Sequence, residues 1–275
     1  MSAVENPYLR YAMFNTAILA IEDLKVSPLG SGFMAGEGMF ETIRVKEGRP
    51  VFFESHQARL AASLRSLNDA PFSSRGELHM RCMRVIAANS LVNGNLKIVL
   101  FKEPAGWSEL ILARAPGYTP AHYEKGFRLK IFPGDLRVEP LNGLKSLNYL
   151  RNLYAKRLAV QEGFDEALFI NPADQLLEGA STNVFIVKDG VISTPSLDAG
   201  ILPGIMRGTI LRKLGQGVLE REVSKTELLD ADEVFATNAL LGIMPVAAVD
   251  EKTYDLAGNA ITRSLSVALA RYAES

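Results

Sequence analysis

Cysteine is nearly absent from this chain of 275 residues: only Cys82 occurs, within an apolar helical pattern. No intramolecular disulfide can form, which suits a reducing compartment, and a metal site built on cysteine is excluded. Histidine is scarce too. The three histidines, His56, His79 and His122, form no H-E-x-x-H pattern, and no carboxylate cluster has metal-ligand spacing, so no catalytic metal is expected. Neither sign of charge dominates: 30 basic against 31 acidic residues leave a formal charge of -1, and no run of five like charges occurs. A surface that tracks polyphosphate or an anionic membrane is therefore not expected, and nucleic acid is not an expected partner. Long hydrophobic runs are missing as well. None approaches the roughly eighteen residues that cross a bilayer, and the N-terminal stretch MSAVENPYLRYAMFNTAILAIEDLK lacks a basic start followed by an unbroken apolar core. A cytoplasmic protein is the expectation. No G-x-S-x-G elbow is present, and GSGFMAGEGMF (30–40) has neither the G-x-G-x-x-G spacing nor the lysine of a P-loop.

What is present is the composition of a globular chain, 48% hydrophobic and 22% charged, long enough for one large or two ordinary domains. MFETIRVKEGRPVFF (39–53) reads as a hairpin, two β-branched and aromatic runs around a polar turn. Helices are predicted over 54–68, where Leu60, Leu64 and Leu67 share a face, and over 73–90, opened by a capping box of Ser74 and Glu77. NLKIVLFK and SELILARA read as strands. PGYTPAHYEKG (116–126) carries two prolines and two glycines and is the candidate linker, dividing the chain into 1–117 and 118–275. Beyond it, FRLKIF, EALFI, TNVFIVKDGVIS and DEVFAT are predicted strands, with a turn at Asp189-Gly190. Helices are predicted over 146–161, 204–215 and 260–273, the first with Leu147, Leu150, Tyr154 and Leu158 on its apolar face.

With metal, triad and P-loop chemistry poorly supported, a lysine nucleophile remains, useful when it condenses with a carbonyl cofactor. Pyridoxal phosphate requires a lysine, an anion site for its phosphate, and a partner for its ring nitrogen. Lys145, just ahead of a helical pattern, is a candidate amine. Glu178, among small and apolar residues in QLLEGASTN, is a candidate acid. Pro203-Gly204 precedes a helical run, so the N–H groups of Ile205 and Met206 would face outward at a helix start. Singly, a surface lysine, a turn glutamate and ordinary helix punctuation are the commoner readings. Their order and spacing together favour chemistry.

LKSLNYL, DEALFINPADQLLEGASTNVFIVKDGVISTPSLDAGILPGIMRGTIL and, in the N-terminal part, GEGMFETIRV and FFESHQARL resemble the class IV aminotransferase family, the fold type IV pyridoxal phosphate enzymes. The likeness runs over nearly the whole chain, to DEVFATNALLGIMPV. It implies an α+β chain of two domains, a small N-terminal α/β domain and a larger C-terminal pseudo-barrel domain, with pyridoxal 5'-phosphate between them. It also implies a homodimer acting on a small molecule. By position, Lys145 matches the lysine that bonds the cofactor, Glu178 the ring-nitrogen partner and Arg59 the phosphate arginine. Ile205 and Met206 match the phosphate-facing amides, with Asn238 and Ala239 on the facing loop, and Tyr149 a tyrosine near the ring oxygen. Within the family, Thr42, Asn238 and Lys97 resemble positions of the lyase that converts 4-amino-4-deoxychorismate to 4-aminobenzoate and pyruvate. There Thr42 and Asn238 would be catalytic and Lys97 would bind a substrate carboxylate. A branched-chain or D-amino acid aminotransferase is the alternative, because KEPAGWSEL (102–110) lacks the arginine-bearing loop of lyase relatives and leaves Lys102 as a substitute. A non-catalytic scaffold is disfavoured, since it does not need the whole set.

Overall fold

A hairpin of two four-residue strands, β1 (Tyr11–Phe14) and β2 (Ala17–Ala20), opens the structure; both strands are too short for a hydrophobic period to register in the sequence. The computed structural model describes residues 7–69, 74–133, 141, 143–214 and 217–273. Its contacts divide the chain into two units, one of Met1–Gly117 with Lys145–Asn148 and one of Tyr118–Leu144 with Tyr149–Ser275. The segment that carries Lys145 thus belongs to the first unit, although it follows the Gly117/Tyr118 boundary in sequence.

In the first unit, a short helix α1 (Ser31–Ala35) leads to the long strand β3 (Gly38–Lys46) and its two-residue partner β4 (Arg49–Pro50). Helices α2 (Phe53–Ser66) and α3 (Arg75–Ala88) follow, then the hairpin β5 (Gly94–Glu103) and β6 (Gly106–Arg114). The capping box read from sequence starts α3: Ser74 Oγ accepts from the Glu77 amide, and Glu77 Oε2 accepts from the Ser74 amide at 2.8 Å. The six strands form one antiparallel sheet in the order β2-β1-β6-β5-β3-β4. Alternation divides its residues between two faces. Met39, Ile43, Leu96, Ile98 and Ile111 are fully buried on the face shared with Leu60 and Leu64 of α2 and Cys82 and Val85 of α3. That face is the core of the unit. Lys102 and Glu103 are still paired in the ladder, opposite Trp107 and Gly106, so the stretch read as a loop is a tight hairpin turn.

The second unit begins with a helix, α4 (Pro120–Lys125), inside the predicted linker, because Thr119 caps it and Pro120 suits its first turn. After β7 (Phe127–Pro133) come α5 (Leu150–Gln161), β8 (Glu166–Ile170), β9 (Leu176–Gly179) and the hairpin β10 (Asn183–Lys188) and β11 (Val191–Thr194). Asp189 and Gly190 take left-handed conformations at the hairpin turn, φ 49° and 78°, as an Asp-Gly turn of this length requires. Then follow α6 (Ile205–Thr209), continued by a π-helical turn over Ile210–Leu214, β12 (Leu219–Glu220), α7 (Lys225–Asp230), β13 (Glu233–Asn238), β14 (Gly242–Val249), β15 (Lys252–Thr253) and α8 (Ala260–Tyr272). The sheet runs β12-β11-β10-β13-β14-β7-β8-β9, mixing parallel pairs such as β14 with β7 and antiparallel ones such as β10 with β13. Ser73 and Gly215, end residues of two predicted helices, lie outside the described residues.

Two expectations about the segment after Lys145 are corrected. The helix begins at Leu150, not at residue 146, because Lys145–Leu147 is extended and pairs with the edge of β3: Met39 bridges Ser146, and Leu147 donates to the Gly38 carbonyl at 2.9 Å. Its buried face is also different. Ala155 and Ala159 are buried, whereas Leu150 is 73% and Tyr154 56% exposed. Small side chains let the helix pack closely, and its leucines are left outward.

Candidate active site

Lys145 lies opposite Phe40 across the edge of β3, and the Phe40 amide donates to the Lys145 carbonyl at 2.9 Å. Directly opposite partners in a sheet project from the same face. The Lys145 ammonium accordingly sits 4.5 Å from the centroid of the Phe40 ring. The next row along the strands pairs Thr42 with Lys97, and the Lys97 ammonium reaches back to 4.9 Å from that same centroid. One aromatic ring therefore underlies two amines, with Thr42 beside them. Burial pushes the Lys97 ammonium below the usual lysine range, and the like charge of Arg114 adds to the shift. No carboxylate among the described residues forms an ion pair with Lys97.

Arg59 belongs to the other face. It projects from α2 toward Glu41, the residue between Phe40 and Thr42, donating from Nε to Oε1 at 2.8 Å and from Nη2 to Oε2 at 2.7 Å. His56 Nδ1, three residues before Arg59, meets the same Oε2 at 2.7 Å. Burial alone would raise the Glu41 carboxyl, but the Arg59 charge and the bonds from His56 and Arg59 outweigh it and hold the pKa at about 2. With Nε and one Nη2 hydrogen committed to Glu41, the orientation of the guanidinium is fixed and its Nη1 edge is turned away from that carboxylate. Glu41 and His56 were not singled out in the sequence. The signal was present: a carboxylate inside the apolar run GMFETIRV cannot be buried without a cation, and HQAR follows on the adjacent helix.

In the second unit, β9 carries Glu178, half-buried, whose Oε2 accepts from Asn183 Nδ2 at 3.0 Å and from the Leu202 amide at 3.1 Å. Tyr149, at the start of α5, donates to the Ala180 carbonyl at 2.5 Å, and Asn152 donates to that carbonyl at 2.9 Å. Burial, together with the carboxylates of Glu178 and Glu166, raises the Tyr149 phenol well above its usual range, so it stays a donor. Ile205 and Met206 open α6 after Gly204, and amides in a first helical turn have no intrahelical acceptor. A Cβ at Gly204 would run into Asn183 Oδ1, so the close approach of this helix start to the Glu178 loop needs glycine.

Asn238 ends β13, and its side chain is occupied with the turn that follows. Its Oδ1 accepts from the Leu240 and Leu241 amides, both at 2.9 Å, and its Nδ2 donates to the Ser181 carbonyl at 3.1 Å. It ties the loop after Glu178 to the Ala239 turn. Beneath that loop, Ser181 Oγ bonds fully buried Glu166, which Lys156 approaches at 3.5 Å. Lys102 pairs with Asp69 at 3.5 Å and lies over Trp107. Among the described residues no group of three or more His, Cys, Asp or Glu could hold a metal.

The first unit thus offers a lysine on an aromatic ring and a buried, oriented arginine, and the second a carboxylate held by two donors and a glycine-led helix start, the residue types that pyridoxal phosphate chemistry calls for. Residues 38–249 match the profile of the family described as amino-transferase class IV, and the chain belongs to that family. It is 31% identical over 268 residues to aminodeoxychorismate lyase of Bacillus subtilis, covering 90% of this chain and 89% of that protein. It is also 31% identical over 262 residues to the branched-chain-amino-acid aminotransferase of Escherichia coli K12, covering 87% and 85%. The fold is shared with 4-amino-4-deoxychorismate lyase from Pseudomonas aeruginosa at a TM-score of 0.80 and 26% identity, over 94% and 98% of the two chains. The protein is thus a pyridoxal-phosphate-dependent enzyme of fold type IV. No helix among the described residues is long and apolar enough to cross a membrane.

Proposed function

We propose that the protein is a lyase that converts 4-amino-4-deoxychorismate to 4-aminobenzoate and pyruvate, a step that supplies folate synthesis. One observation carries the choice over amino transfer: Lys97, half-buried and unpaired by any described carboxylate, shares the Phe40 ring with Lys145. A branched aliphatic side chain gives such a cation nothing, whereas a substrate with a second carboxylate does.

Lys145 would hold the cofactor, Arg59 and the Ile205 and Met206 amides would bind its phosphate, and Glu178 would be the partner of its ring nitrogen. The ring, once bound, is the electron sink that stabilises negative charge at the amine-bearing carbon. Glu41 and His56 keep Arg59 in register by occupying its Nε edge. Tyr149 and Asn238 hold the loop of Glu178 in place from opposite ends. Lys145 Nζ removes the proton beside the substrate nitrogen, a role that suits an amine on an apolar ring rather than in bulk water. Thr42, one row from Lys145, is the hydroxyl placed to donate a proton as the enolpyruvyl group leaves, and Lys97 holds the carboxylate. The exposed leucines and Tyr154 of α5, with Phe33 and Met34 on α1 at 67% and 72% exposure, support a homodimer that covers them. A single buried cysteine suits the cytoplasm. The test is incubation of the cofactor-loaded protein with 4-amino-4-deoxychorismate, following both products, against a panel of L- and D-amino acids with keto acid acceptors. Equal amounts of 4-aminobenzoate and pyruvate are expected. Amino transfer without aromatic product would establish the aminotransferase reading instead.

A further inference from the structure

The row beyond Thr42 and Lys97 joins Arg44 of β3, Asn95 of β5 and Arg114 of β6, all directly opposite one another and on the same face as Lys97. Successive same-face rows are about 7 Å apart along a strand, so three rows carry Lys145, then Lys97, then two arginines, at increasing distance from the reactive amine. Neither arginine forms an ion pair with any described carboxylate. Arg114 rests on the Tyr8 ring, and its charge reaches Lys97. Between the arginines, Asn95 is only 4% exposed; its Nδ2 donates to the Ala115 carbonyl, while its Oδ1 has no hydrogen-bond partner among the described residues. The contrast with the opposite face is sharp. There every buried cation described has its carboxylate: Arg59 has Glu41 and Arg81 has Glu109. On this face Lys97 and Arg114 are half-buried without a described carboxylate, with solvent-exposed Arg44 beside them, so like charge gathers here and an incoming anion would relieve it.

We infer that Arg114, with Arg44 and the buried Asn95 between them, forms a second carboxylate subsite, which takes the carboxylate of the substrate remote from its reacting amine. The inference rests on the proposed lyase reading for the identity of the substrate, and on the register and charge of the sheet for the site itself. Lys97 meets the nearer carboxylate and Arg114 the farther one, a guanidinium being suited to a bidentate grip. Bound anion or a water it holds also offers Asn95 a partner. Substrates ending in an apolar side chain leave this row unmatched, so the row selects a dicarboxylate.

The probes are 4-aminobenzoate, with a carboxylate across the ring from its amine, and its neutral analogue 4-aminobenzamide, each titrated calorimetrically into the cofactor-loaded protein. Arg114→Met is expected to weaken 4-aminobenzoate about tenfold and leave 4-aminobenzamide unchanged. Arg114→Lys recovers part of the loss, and Arg44→Met shows the same selectivity in smaller measure. Added salt should weaken 4-aminobenzoate in wild type more than in Arg114→Met. Equal effects on the two probes, no effect on either, or no binding of 4-aminobenzoate to wild type would overturn the subsite. Turnover of 4-amino-4-deoxychorismate separates the two readings. A wild type without turnover whose 4-aminobenzoate affinity still depends on Arg114 loses the lyase and keeps the subsite; lyase activity whose KM is indifferent to Arg114→Met does the reverse.

Discussion

Glu41 and Thr42 are neighbours in one strand, yet they face opposite electrostatic conditions. On the helix-covered side, Glu41 is surrounded by donors: Arg59 grips both its oxygens, His56 adds a third contact, and its pKa stays at about 2 despite complete burial. On the other side, Thr42 stands beside Lys145 and among Lys97, Arg44 and Arg114, three cations that form no ion pair with a described carboxylate. A satisfied network is rigid and expresses one geometry; an unsatisfied one has affinity in reserve. Period-two alternation lets one strand do both, one face fixing the arginine proposed for the phosphate and the other choosing the substrate.

Removing the amine should break the comparison altogether. Lys145→Ala is expected to abolish borohydride-trapped cofactor on the protein, and an adduct like that of wild type would move the covalent site elsewhere. Glu41→Gln is expected to destabilise the fold by about 3 kcal/mol, since it strands a buried guanidinium, and to loosen cofactor retention with it. Thermal unfolding and cofactor dialysis would measure both. The pH dependence has a definite sign. The folded pKa of Glu41 lies below its ordinary 4.5, so its contribution is complete above 4.5 and is lost as pH falls toward 2. The acid arm of the stability profile should therefore be flatter in Glu41→Gln, and an unaltered arm would deny Glu41 that role. Thr42→Val changes the open face alone. Lyase turnover should drop roughly a hundredfold, the low end for a positioned proton donor, with the cofactor absorption unchanged. Full activity would remove Thr42 from the proton path.

The same alternation explains what could be read in advance. Local signals held: the Ser74 and Glu77 box starts α3, Asp189-Gly190 turns its hairpin, and Pro203-Gly204 precedes a helix. Lys145 and Glu178 stood out because the motifs around them are local. Pairings across elements did not. GMFETIRV signals that its carboxylate needs a cation, but that His56 and Arg59 of SHQARL both meet it, eighteen positions before Arg59, depends on α2 crossing β3. The α5 face was misread for a related reason: leucines at helical spacing suggest a core, but Ala155 and Ala159 make the closest packing and leave Leu150 outside. Asn238 was legible as a residue of the facing loop, whereas the capture of its oxygen by the Leu240 and Leu241 amides depends on the turn after β13.

The most direct test of the division between a holding face and a selecting face is the preference of the enzyme, measured as kcat/KM for 4-amino-4-deoxychorismate over kcat/KM for transfer from leucine, in wild type and in Lys97→Met. Wild type should favour 4-amino-4-deoxychorismate, and the substitution should shrink that preference by about tenfold, the worth of roughly 1.4 kcal/mol of lost carboxylate contact, without loosening the cofactor. A substitution that slows both reactions equally, or that releases the cofactor, would contradict the account.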